Sequence, residues 1–237
     1  MTDELIQEPL AESTRPATPG WPEMLSGGAA YGVSILLVAI LLPLVTDPAA
    51  AGNVGLLVSG AMGLAALAVA ALIRIRGLAA FGFRRTRPRH LVVGALLGLV
   101  AFVLGTVVAV VYMSMTGKLE NVQYTYQAAA TGGWWSLALA LVAGAVITPL
   151  GEEGFFRGVV ANTLLAKYGA LVGILVSAAI FAVAHGINPI MGVAFVVGVF
   201  TAVLFRWSGS VWPGVVLHGV NNAIALLIPV ITELAVE

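Results

Sequence analysis

The sequence predicts an all-α fold, a polytopic transmembrane helix bundle of about seven spans. Three observations predict it: scarce charge, high hydropathy and the length of the apolar runs. Only 9% of the 237 residues are charged and 60% are hydrophobic, and the mean hydropathy is +1.03. A soluble domain carries about 25% charged residues, because its surface must face water. This chain lacks the charge to cover a water-soluble globule, so its surface is matched to lipid. Apolar runs fall at 29–46, 52–73, 91–113, 134–150, 170–187, 190–206 and 211–232. Each is near the roughly 20 residues that a helix needs to cross a bilayer.

Taken in order, residues 1–28 hold Asp3, Glu4, Glu8, Glu12 and Glu23 against Arg15 alone, with Pro16, Pro19 and Pro22 among them. That is a disordered acidic tail, and it lacks the positive start of a secretory signal. Residues 29–90 form two N-terminal helices and an arginine-rich loop, and 91–237 a second, larger helical core. Asp47-Pro48, Gly117, Gly132-Gly133, Asn188-Pro189 and Gly209 to Pro213 punctuate the runs. Arg74, Arg76, Arg84, Arg85, Arg87 and Arg89 lie between the second and third runs. The positive-inside rule makes that loop, and with it the N-terminus, cytoplasmic. The Ala- and Gly-rich composition points to a bacterial inner membrane. The spacings Gly94/Gly98 and Ser59/Gly63 suit ordinary close packing of helices.

Formal net charge is zero, so no nucleic-acid partner is expected. There are no cysteines, which removes disulfides and thiolate chemistry. The partners to expect are lipid and a membrane-associated peptide or protein.

Ionisable residues inside spans are costly unless paired, so each one marks a candidate site. Glu152 and Glu153 stand side by side near the end of the fourth run. On a helix Glu153 shares a face with Arg157 and pairs with it. Glu152 points about 100° away among apolar neighbours and is the candidate general base. Pro149 breaks a helix hydrogen bond beside them and opens the site to water. Phe181 and His185 share a face, so the ring can orient the imidazole. His218 and Asn222 share another, and both can donate toward a developing oxyanion. Asn221 points elsewhere. The bland alternatives are an interfacial salt bridge, a histidine bonded to a carbonyl, and interhelical polar glue. Each competes well against one motif and poorly against all three. The strict span boundaries put Glu152 and His185 near opposite faces. The fourth helix is expected to continue past Arg157, which lets them meet.

In order and spacing, E-E-x-x-x-R (Glu152, Glu153, Arg157), F-x-x-x-H (Phe181, His185) and H-x-x-x-N (His218, Asn222) resemble the CAAX prenyl protease 2 and bacteriocin-processing family (CPBP, or Abi) of intramembrane endopeptidases. The resemblance covers about residues 134–232, and Leu78 to Arg85 looks like a segment many members carry. Gly154 departs from the larger residue usual after the acid pair. The resemblance implies that Glu152 activates water with His185 beside it, and that His218 and Asn222 hold the oxyanion. Glu153 and Arg157, with Phe181, would support them. Family members are commonly labelled metalloproteases, and Glu152, His185 and His218 would be the two-His, one-carboxylate set of a catalytic zinc. A metal-free glutamate mechanism uses the same residues. The H-E-x-x-H pattern is absent, and Ser177 and Ser210 lie too far from the histidines to be activated by them. The rival readings are a non-catalytic immunity or scaffold protein of the same fold, and a small proton-coupled transporter, for which no inverted repeat is visible.

Overall fold

The computed structural model describes residues 18–75, 77–117 and 121–236, and among them there is no strand. The chain runs through α1 (Trp21–Leu41), a 3-10 turn (Leu42–Leu44) and α2 (Pro48–Ile73). A second 3-10 turn (Leu78–Phe81) leads into α3 (Pro88–Thr116), and α4 (Tyr124–Thr131) is short. A long helical stretch follows: α5 (Trp134–Val142), a π-turn (Ala143–Ile147), α6 (Thr148–Phe155), a second π-turn (Phe156–Ala161) and α7 (Asn162–Ala184). The helices α8 (Pro189–Ser208) and α9 (Trp212–Leu234) complete the bundle.

Local chemistry sets these boundaries. The Asp47 carboxylate accepts the Ala50 N–H at 2.7 Å and caps α2, and the Asn188 carbonyl accepts the Ile190 N–H at 2.8 Å and caps α8. Proline in the first turn of α2, α3, α8 and α9 removes an N–H that would have no helical partner. Gly117 and Gly209, each with φ near 66°, end α3 and α8 in the left-handed region.

Among the described residues six helical segments are long and apolar enough to cross a membrane, and the chain is an integral membrane protein. The longest, Trp134–Ala184, covers 51 residues and breaks at Gly169, where φ is 77° and ψ −173°. A Cβ on Gly173 would lie 2.7 Å from the Leu165 Cα, whereas eight residues of straight helix rise about 12 Å. The chain therefore reverses at Gly169, and the long segment supplies two antiparallel legs. One leg continues helically from 134 to 168, well past Arg157, as the meeting of Glu152 and His185 requires.

Three boundaries differ from expectation. The first helix begins at Trp21, so residues 21–28, expected in the acidic tail, are helical; residues 1–17 lie outside the described residues. The cause is Glu23, which is buried, accepts the Gly20 N–H at 2.9 Å and takes a bidentate pair from Arg74 at 2.7 and 2.8 Å. The fifth run ends at Ala184 rather than 187. Part of the loop expected over 114–133 is α4.

Glycines let the bundle close. A Cβ on Gly63 would strike the Gly151 carbonyl, and one on Gly60 would sit 2.5 Å from the Ile147 oxygen. The helices α2 and α6 therefore touch backbone to backbone. Cationic residues gather at one end of the bundle: Lys167 lies over Trp21, Arg74 pairs with Glu23, Arg89 lies over Trp207, and Arg84 and Arg206 line one depression. Because α2 and α6 have no slack, Gly63→Leu and Gly151→Val should each cost about 1–3 kcal/mol or more through overpacking. Thermal unfolding of the full chain in detergent measures it, and a lipid-facing control, Val103→Leu, should unfold as the unaltered chain does.

Candidate active site

The site forms around the carboxylate pair on α6. Glu152 is 2% exposed and Glu153 is fully buried. Their side chains leave the helix in different directions and recruit different partners. Glu152 Oε1 accepts the Ser59 hydroxyl at 2.5 Å, delivered from α2 by the glycine contacts with α6. Glu152 Oε2 is buried and has no hydrogen-bond partner in the protein. It faces His185 Nε2 at 3.8 Å and His218 Nε2 at 4.0 Å.

Both imidazoles are held by their other nitrogen. His185 Nδ1 meets the Phe181 carbonyl oxygen at 2.8 Å, and His218 Nδ1 meets Glu153 Oε1 at 3.1 Å. Carbonyls and carboxylates accept, so Nδ1 carries the hydrogen in each ring and Nε2 is turned toward Glu152. Glu153 also pairs with Arg157 Nε at 3.1 Å. The Arg157 guanidinium is buried and lies 4.3 Å from the centre of the Phe181 ring. Phe181 in turn packs edge-on against His185, with centroids 4.6 Å apart, and against Phe156 at 4.9 Å. The aromatic contacts continue from Phe156 to Tyr31 on α1.

All seven residues singled out from sequence come together here, with details that spacing did not reveal. Glu152 is not solely among apolar groups, because Ser59 bonds it. Glu153 serves two partners, Arg157 and His218. Asn222 Nδ2 donates to the Gly144 carbonyl at 2.9 Å. That carbonyl is orphaned by the first π-turn, since the Thr148 N–H bonds Ala143 and Pro149 has no N–H. One of the two Asn222 amide hydrogens is therefore already committed. Asn221, expected to point elsewhere, lines the same cavity. Gly154 has its reason too: a Cβ there would lie 3.1 Å from the Phe83 ring and 3.2 Å from Leu67. A larger residue at this position would crowd Phe83. Ser59 was visible in the sequence only as one member of a small-residue pair.

Glu152, His185, His218 and Asn222 line a cavity of about 450 Å³ that extends between α3 and α9. The donor chemistry of Glu152, His185 and His218 matches a zinc site, and both imidazoles are backed at Nδ1 as ligating histidines are. As they stand, no group of three such side chains among the described residues closes to hold a metal ion.

Residues 134–224 match the model of the Rce1-like family, type II CAAX prenyl endopeptidase. The match spans the carboxylate pair, both histidines and both asparagines, and points to CAAX-type intramembrane protease activity. No curated protein and no solved structure matches the chain.

Ser59 lies outside the matched segment and holds the carboxylate at its centre. A hydrogen bond to a charged group is worth about 1.5–3 kcal/mol. Ser59→Ala should therefore lower both peptidase kcat/KM, by about tenfold to a hundredfold, and thermal stability, and Ser59→Thr, which keeps the hydroxyl, should retain most of both.

Proposed function

We propose that the chain is an intramembrane endopeptidase that hydrolyses a peptide bond of a membrane-associated protein or peptide, with Glu152 as the base that activates water. One observation carries the reading: Glu152 Oε2 is buried and unpartnered at 3.8 and 4.0 Å from two imidazole nitrogens. Those separations are too long for direct hydrogen bonds and suit an intervening water. The site also opens on a cavity large enough for a peptide.

In this reading the water sits between Glu152 and His185. As its oxygen attacks the scissile carbonyl carbon, its proton passes to Glu152. The carbonyl oxygen becomes an oxyanion on the side of His218 and Asn222. There the free amide hydrogen of Asn222 and a protonated His218, backed by Glu153, donate to it. Glu152 then returns the proton to the leaving nitrogen as the C–N bond breaks. Ser59 fixes the carboxyl so that Oε2 faces the water, and Phe181 and Arg157 hold His185 and Glu153 in place. A zinc ion on Glu152, His185 and His218 would supply Lewis acidity at the same carbonyl. The gathered arginines support placing their end of the bundle in the cytoplasm.

The test uses the purified full chain in detergent with a membrane-peptide library. Glu152→Gln, His185→Ala and His218→Ala should each lose at least about a hundredfold in rate while remaining folded. Cleavage by the unaltered chain no faster than by Glu152→Gln overturns the reading. Activity that survives thorough chelation assigns the steps to the residues alone. One zinc per chain that disappears in the two histidine variants assigns a metal instead.

A further inference from the structure

The helices α3 and α9 run parallel. They touch where Gly94 faces the Pro213 carbonyl and Gly98 faces the Leu217 carbonyl: a Cβ on either glycine would lie 2.5 or 2.7 Å from those oxygens. Two turns further along, α3 leans on α8 instead, with Gly105 against Val193 at 2.9 Å. From there Phe102, Thr106 and Val110 on α3 and Ala225 and Pro229 on α9 line the cavity. The two helices thus form a V. It is closed at the arginine end, just below His218, and toward the other end Gln123 and, on α4, Tyr126 and Gln127 also line it. Thr106 and Val110 are exposed, so the groove is open along its side.

From Phe102 to the last cavity residue of α3, Met113, eleven steps of helix rise about 16 Å, the length of about five residues of extended chain. A peptide in hydrocarbon hides its N–H and C=O groups in a helix, and unwinding it leaves each of them unsatisfied at a cost of several kcal/mol. A cleft that presents an extended chain to Glu152 must therefore supply partners. Asn221 is 6% exposed, its Nδ2 donates to Asn222 at 3.1 Å, and its Oδ1 has no partner. Pro229 has no N–H for the Ala225 carbonyl, which leaves a second acceptor on the same wall. The facing wall of α3 is apolar apart from Thr106, whose hydroxyl is bonded to its own helix at Phe102.

We propose that this groove is the substrate cleft. It takes an extended, mainly apolar stretch of about five residues entering along its open side, past Thr106 and Val110. Asn221 registers that stretch by accepting one of its backbone N–H groups. The proposal rests on the peptidase reading and adds the substrate's conformation, its apolar character and its direction of approach.

The probe is an uncharged apolar fluorogenic decapeptide, selected from the cleaved members of the library, with the full chain in micelles. Asn221→Leu and Thr106→Trp should raise KM about tenfold with kcat nearly unchanged. Val103→Trp, on an exposed neighbouring position outside the cavity, should change neither. The chain has no cysteine, so Thr106→Cys supplies a unique thiol by a small change that stays informative where Thr106→Trp does not fold. Saturating peptide should slow its reaction with a maleimide about tenfold, as occupancy of most sites requires, and added phospholipid should not. Glu152-dependent cleavage that ignores Asn221→Leu and Thr106→Trp overturns the cleft and leaves the peptidase reading intact. Protection of the thiol by phospholipid alone makes the groove an acyl-chain site and also overturns it. Cleavage that survives Glu152→Gln overturns both readings.

Discussion

Two carboxylates buried next to each other in an apolar helix are the constraint around which this bundle is arranged. A charge removed from water without a partner costs several kcal/mol, and breaking a buried pair costs about 3–5 kcal/mol. Neighbouring positions on a helix point about 100° apart, so one partner cannot serve both acids. Glu153 draws on Arg157 from its own helical stretch and His218 from α9, while Glu152 draws on Ser59 from α2 and faces His185 at the end of α7. Four parts of the chain are thereby tied to one short helix. The outcome is asymmetric. Each oxygen of Glu153 has a nitrogen at 3.1 Å, from Arg157 or His218, whereas Glu152 Oε2 faces imidazole nitrogens only at 3.8 and 4.0 Å. That leftover valence is what chemistry can use.

The glycines are the other half of this arrangement. Ser59 is a short side chain and reaches Glu152 only because α2 and α6 meet at Gly60, Gly63 and Gly151. Gly214 of α9 does the same for Glu153, since a Cβ there would lie 2.9 Å from its carboxylate oxygen. Small residues at these contacts substitute for the hydrophobic drive that lipid removes. In this bundle they also carry functional groups across helix boundaries.

Much of the fold and site was legible beforehand, because membrane embedding follows from composition and because i, i+4 spacing selects residues on one face. Glu153 with Arg157 and Phe181 with His185 are local pairs of that kind. What spacing could not supply is the identity of a partner on another helix. Ser59 to Glu152 spans 93 positions and His218 to Glu153 spans 65, and no periodicity encodes either. Asn222 shows a subtler limit. Its face was evident, but its bond to Gly144 depends on a carbonyl that only the π-turn and Pro149 leave vacant. Glu23 misled in the opposite way. Among acidic and proline-rich neighbours it reads as tail, and only its pairing with Arg74 reveals a helix start.

The two π-turns that bracket α6 have a consequence for how this chain is compared with others. Each wide turn stores one residue more than an α-turn would need. Losing a residue from 143–147 would let the helix continue with its earlier faces nearly in register with Glu152, whereas losing one within α6 would turn them by about 100°. Single-residue gaps are therefore to be expected at these two turns and not within α6. An alignment that treats 134–168 as one ungapped helix will place the lipid-facing residues on one side of α6 a position out of register. Their hydrophobic pattern will then look scrambled although the active carboxylates still align.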